Sequence, residues 1–224
     1  MKKTIIVLVV FITIIGLRTV PAHAVGFGLY GNFDGGKMIW EGYGAEFMNY
    51  GGGFVLDTNL ASDNVFNYRL EFGFSNLRTP YQAEELDALT TILFWRLLGS
   101  SLPTPFYKDV TKHENSLVMS TVHYFGFGVV RTKNVRFWLG PQLTIAGMLT
   151  NLTGLIAGMG FAMGLNINIG DTFTLSFVGS GRFLGGFRVY KYNETHKTAG
   201  GYGGDGMATV SFIFRIPGDT YKGK

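Results

Sequence analysis

The sequence predicts an all-β fold: an eight-stranded antiparallel transmembrane β-barrel with a helical segment in its second external loop. Three observations predict it. Apolar and small polar residues alternate with period two in run after run, as side chains on opposite faces of a strand require. The composition joins 33 Gly and 15% aromatics to only 15% charged residues, against about a quarter charged in ordinary soluble domains. The joins between the runs alternate between short turns and longer loops, as in outer-membrane barrels.

The first segment reads as an export leader. Met1-Lys2-Lys3 gives a positive start, Ile5 to Ile15 is apolar apart from Thr13, and Pro21-Ala22-His23-Ala24 supplies a small-x-small cleavage pattern. The run is shorter than the roughly 20 residues a spanning helix needs. The expected organisation is a signal peptide over 1–24, the barrel over 25–216 and a periplasmic tail over 217–224. Losing Lys2, Lys3 and Arg18 and no acid leaves 16 basic against 15 acidic side chains, a net charge of +1. The basic character of the whole chain is therefore mostly leader and implies no nucleic-acid partner. The absence of Cys excludes disulfides and thiolate metal sites.

Five strands stand out. In 65–75, Phe66, Tyr68, Leu70, Phe72 and Phe74 oppose Asn67, Arg69, Glu71 and Ser75. In 135–145, Val135, Phe137, Leu139, Leu143 and Ile145 oppose Arg136, Trp138, Gln142 and Thr144. In 159–169, Phe161, Met163, Leu165, Ile167 and Ile169 oppose Gly160, Ala162, Gly164, Asn166 and Asn168. In 172–183, Phe173, Leu175, Phe177 and Phe183 oppose Thr174, Ser176, Ser180 and Arg182. Last, Ala208, Val210, Phe212, Phe214 and Ile216 oppose Thr209, Ser211 and Arg215. Three weaker strands, 25–33, 43–58 and 116–131, bring the count to eight, with a bulge or bend expected at Gly51-Gly52-Gly53. Joins 59–63, 132–134 and 170–171 read as short turns, and 34–42, 78–115 and 187–203 as longer loops, with 150–154 a short exception.

The apolar face settles which way the barrel faces. A soluble barrel needs a hydrated outer face rich in Lys and Glu, whereas the polar face here is mostly Thr, Ser, Asn and Gly, residues that suit a narrow interior. Phe, Leu, Ile and Val would be costly in water and are cheap in lipid. Reading parity inward, the lumen is lined by Glu46, Arg69, Glu71, Arg136, Trp138, Gln142, Asn166, Asn168, Ser176, Arg182, Thr209, Ser211 and Arg215. Charges there must pair. Arg69 and Arg182 with Glu46 and Glu71 either plug the bore or, if hydrated, line a narrow polar path.

One stretch leaves the β pattern. Thr79-Pro80-Tyr81-Gln82 resembles a capping box with Pro at the first helical position, and Gly99 can close the helix. Leu86, Leu89, Leu93 and Leu97 fall on one face, so the segment packs over the rim or acts as a gate. Two extra strands are the alternative. Catalytic motifs are weak: Gly26-x-Gly28-x-x-Gly31 has no strand before it and no helix after it. His123 and Ser120, the nearest base and nucleophile, have opposite parity. The expectation is a non-enzymatic protein with no cofactor and no metal.

Short motifs give a family resemblance. Gly53-Phe54-Val55, then Leu60-Ala61-Ser62-Asp63-Asn64-Val65 through Glu71 to Arg78-Thr79-Pro80, resembles the second and third strands of the outer membrane protein W family. Arg136-Phe137-Trp138-Leu139-Gly140-Pro141 is similar to the opening of its fifth strand, and the Gly-rich 155–186 hairpin fits as well. The resemblance implies an eight-stranded barrel with a narrow channel that passes small hydrophobic molecules sideways into the membrane. Expected partners are outer-membrane lipids and small solutes. The alternative is a surface adhesin binding host molecules through 78–115 and the basic, Tyr-rich 187–203. The expected location is the outer membrane of a diderm bacterium.

Overall fold

The computed structural model describes residues 25–40, 43–58, 60, 64–80, 113–149, 153–192 and 195–216. They form eight strands: β1 (Val25–Trp40), β2 (Tyr43–Thr58), β3 (Phe66–Pro80), β4 (His113–Arg131), β5 (Val135–Leu149), β6 (Thr153–Ile169), β7 (Phe173–Tyr192) and β8 (Thr195–Arg215). Each pairs antiparallel with its sequence neighbour, and β1 pairs with β8, so the sheet closes into a barrel. The start of β1 and the end of β8 lie together at one rim, here called the terminal end. The expected leader, the tail and the loop helix with Leu86, Leu89, Leu93 and Leu97 lie outside the described residues.

Alternation fixes the inside and outside of the wall. Even residues of β5, β6 and β7 and odd residues of β3 and β8 point inward, as the five clear runs predict, and the even residues of β1 join them. Large apolar side chains on the outward rows lie open: Leu29 is 62% exposed, Met159 65% and Phe183 80%. Near the terminal end these rows carry paired aromatics, Phe27 with Phe214 and Phe66 with Phe127, their centroids 5.5 and 5.8 Å apart. His123 points outward, where the Tyr68 hydroxyl lies 2.7 Å from its Nδ1, and Ser120 lines the inside.

Three expectations are corrected. No bulge occurs at Gly51-Gly52-Gly53, which stays in register with both β1 and β3. Gly73 of β3, paired with Gly53, makes room for the inward Tyr30: a Cβ on Gly73 would stand 2.5 Å from its hydroxyl. The register shift falls instead between Gly128 and Val130 of β4. The described parts of the expected loops 34–42 and 187–203 are strand, because β1 runs to Trp40, β2 starts at Tyr43, β7 runs to Tyr192 and β8 starts at Thr195. Their Gly-rich sequence hides the alternation for a packing reason. Gly201 and Gly203 of β8 stand beside the inward Trp40 and Met38 and leave them the space. The short turns at 132–134 and 170–171 are found where expected, most of 59–63 lies outside the described residues, and Gly170, at φ 59°, supplies the left-handed residue that the β6–β7 turn requires.

Candidate functional site

The interior divides into two parts. Toward the terminal end, β3 sets Arg69 and Glu71 on one inward row, two residues apart, so their side chains meet. Arg69 is fully buried and donates from Nε and Nη2 to Glu71 Oε1 at 3.0 and 2.7 Å. Its Nη1 reaches Asp57 Oδ2 at 3.5 Å and donates to Ser176 Oγ at 2.7 Å, and its Nη2 also donates to Ser211 Oγ. Tyr124 donates to the other Glu71 oxygen at 2.9 Å, and Ser176 donates to Asn166 Oδ1 at 2.7 Å. One guanidinium thus ties β2, β3, β7 and β8 across the bore.

Below and beside this network the space is filled. Trp138 is fully buried and meets the Tyr124 ring edge-on, with centroids 5.9 Å apart. Gly164 faces its indole, and a Cβ on Gly126 would lie 2.8 Å from it, so both positions must lack a side chain. Arg136 donates to Val65 O at 3.0 Å, and Arg215 donates to Gly170 O at the rim. Thr174 donates to Asn168 Oδ1, whose own amide donates to Lys133 O, each at 2.8 Å. Gln142 and Thr209 are buried on the inner wall. Twelve of the thirteen residues expected inside therefore do face inward.

Glu46 is the exception. It is exposed on the outer row of β2 beside Met48 and Tyr50, opposite Lys37 of β1. The inward row of β2 runs through Phe47, Asn49, Val55 and Asp57, one residue out of step with the expected one. Arg182 therefore pairs with other acids. Its Nη2 donates to Asp34 Oδ2 at 2.7 Å, its Nε to Asp205 Oδ1 at 2.8 Å, and Nη2 also meets Asp205 Oδ2. Asn49 steadies Asp34 with a 2.8 Å hydrogen bond from Nδ2. Asp34, Asn49 and Asp57 are inward polar residues that the sequence pattern does not reveal, whereas Asp205 continues the inward row of Thr209, Ser211 and Arg215 by simple parity.

Beyond Arg182, away from the terminal end, the interior turns apolar. Met38, Trp40, Phe47, Leu77, Val118, Ala146, Met148 and Leu184 form one buried cluster with Ile156 packed against it. These side chains wall a cavity of about 890 Å³, counting the solvent at its mouth. Asp34, Arg182, Asp205, Tyr30 and Glu71 line its deeper part, and Arg188 stands over the Trp40 ring, 5.0 Å from its centroid. The polar lumen expected from the sequence is thus only the terminal half. Among the described residues, no group of three or more His, Asp or Glu is arranged to hold a metal.

No protein-family model and no curated protein matches the sequence. Solved structures that align with the chain include outer-membrane and surface proteins. The outer membrane protein OprG from Pseudomonas aeruginosa is 7% identical with a TM-score of 0.45, the alignment covering 87% of this chain and 97% of that one. Neisserial surface protein A is 11% identical with a TM-score of 0.36, covering 82% and 96%. Ail, the attachment invasion locus protein of Yersinia pestis, is 11% identical with a TM-score of 0.34, covering 85% and 98%. The architecture they accompany is the one the pairing establishes independently: a closed eight-stranded antiparallel barrel.

Proposed function

We propose that the chain is an outer-membrane barrel of a diderm bacterium that takes small apolar solutes into the cup of its far half and releases them sideways into the bilayer. The observation that carries this reading is the apolar cavity walled by Met38, Trp40, Phe47, Leu77, Val118 and Met148 and ended by buried ions. An apolar molecule gains about 25 cal/mol for each Å² it hides there. The same molecule gains nothing by displacing Arg69 from its carboxylates, so a straight path to the terminal end is closed to it.

The wall itself supports a lateral exit. Among the described residues the β2–β3 ladder ends at Met48–Arg78, although β2 extends to Tyr43 and β3 to Pro80. Phe47 and Thr79, on the two sides of that seam, both line the cavity. Open rows of Phe, Leu, Met and Val around the outside suit lipid, which needs no hydration of the surface. The reading agrees with what the resemblance to the outer membrane protein W family implies.

The test uses folded protein in vesicles with lipopolysaccharide in the outer leaflet, which slows background permeation. Expected results are low ion conductance in planar bilayers together with faster uptake of naphthalene than in protein-free vesicles. Val118→Arg, which places a charge in the cup wall, should abolish the faster uptake. No difference between vesicles with and without protein would overturn the proposal. A second reading, attachment to a host surface, is favoured by the β7–β8 hairpin, which continues past the Thr153–Val189 pair to Tyr192–Thr195. Host-cell adherence that survives deletion of 190–197 would count against it.

A further inference from the structure

The floor of the cup differs from its walls, and that difference narrows the class of solute. Resting on the reading that the cup takes small solutes, we propose that it selects molecules carrying a protonated amine on a compact apolar body.

Charge is the first argument. At the floor one guanidinium, Arg182, is shared between two carboxylates, Asp34 and Asp205. The next acid in the lining, Glu71, already has its charge matched by Arg69 and its second oxygen taken by Tyr124. The other cation of the lining, Arg188, stands six residues further along β7 against Trp40, about 20 Å away at the usual rise per strand residue. The floor therefore holds one more negative than positive charge, inside walls of low polarity where an uncompensated charge interacts strongly.

Hydrogen-bonding capacity is the second argument and is independent of the first. Asn49 lines the cavity and is only 8% exposed. Its Nδ2 is spent on Asp34, which leaves Oδ1, a pure acceptor, buried with no partner among the protein groups. Thr144 Oγ1, across the cavity, is likewise buried and unpartnered. Buried acceptors in that state are costly unless a donor reaches them. A primary ammonium brings three donors, a positive charge and no acceptor, which complements Asn49 Oδ1 and the excess carboxylate together. An alcohol brings one donor and no charge, and a carboxylate brings only acceptors. An aromatic or short alkyl body would lie against Trp40 and Phe47.

Three isosteric probes separate these possibilities: benzylammonium, benzyl alcohol and benzoate, each titrated calorimetrically into the folded protein in detergent with empty micelles as reference. The expected order is benzylammonium tightest, by about tenfold over the alcohol (about 1.4 kcal/mol), with benzoate weakest. Asp34→Asn leaves Arg182 paired with Asp205 and neutralises the floor. It should bring the amine to within about twofold of the alcohol. Asp205→Asn neutralises the floor through the other carboxylate and should narrow the gap likewise, so the proposal is tested even if one variant fails to show heat-modifiable migration. Equal binding of amine and alcohol would overturn the amine preference and leave the apolar cup intact. Tightest binding of benzoate would overturn it in favour of an anion held by Arg182. If none of the three binds, the cup reading itself fails and this proposal fails with it.

Discussion

The two halves of the barrel interior are built from one continuous set of strands, yet they solve opposite problems. In the terminal half the bore is closed by Arg69, Glu71, Tyr124, Trp138 and their hydrogen-bonded neighbours, each ion answered by another. In the far half the same inward rows carry Met38, Phe47, Leu77, Val118 and Met148, and space remains between them. The contrast teaches that strand number alone does not decide whether a narrow barrel is open. Eight strands give roughly the room that side chains fill, and the choice of side chain at each level decides the rest. Large polar groups that reach across the axis close it, whereas apolar groups lying along the wall leave it open.

Breaking the closed half should produce the largest effect. Arg69→Met strands Glu71 and Asp57 as buried carboxylates without their cation, a defect that costs about 3–5 kcal/mol in comparable settings. The expected outcome is a matching loss in urea unfolding from lipid vesicles, with a rise in ion conductance as the network loosens. Adding Glu71→Gln and Asp57→Asn to that variant should recover much of the stability but none of the closure. An unfolding midpoint unchanged by Arg69→Met would show that the network does not hold the halves apart.

A smaller effect tests the packing beneath the ions. Gly164→Ala puts a methyl group into the Trp138 ring and should cost about 1–3 kcal/mol by overpacking. Near-ultraviolet circular dichroism should register the displaced indole, and Trp138→Leu in the same chain should relieve the strain. The smallest effect is expected outside both halves. Glu46→Gln, on the outer row, should leave the unfolding midpoint and conductance where they were. A conductance change there would return Glu46 to the bore and contradict the register of β2.

Much of this contrast is legible in the amino-acid pattern, but unevenly. Where large apolar residues alternate with Thr, Ser and Asn, as in β6 and β7, parity alone puts Asn166, Ser176 and Arg182 inside. The cup is not legible, because its walls come from stretches where both rows are apolar or one row is glycine. Met38 and Trp40 follow a Gly-Gly pair and face Gly203 and Gly201, so no period-two pattern survives to betray them. Asp34 sits at the edge of the same unreadable stretch, which is why parity offers Glu46 as the partner of Arg182. The β2 register misleads for a related reason: three successive glycines erase the parity of the residues before them. The loop helix with Leu86, Leu89, Leu93 and Leu97 lies outside the described residues.

Closure of the ring has a consequence for how the molecule is made. Its final seam joins Gly26 to Arg215 and Trp40 to Gly201, residues separated by nearly the whole chain, while every other seam joins sequence neighbours. Seven hairpin seams can form as their strands arrive, but the eighth waits for β8. Until Thr195–Arg215 is in place, β1 and β7 each present a bare hydrogen-bonding edge, the kind that pairs with whatever strand comes first. Those two edges stay open to a foreign strand until β8 closes the ring.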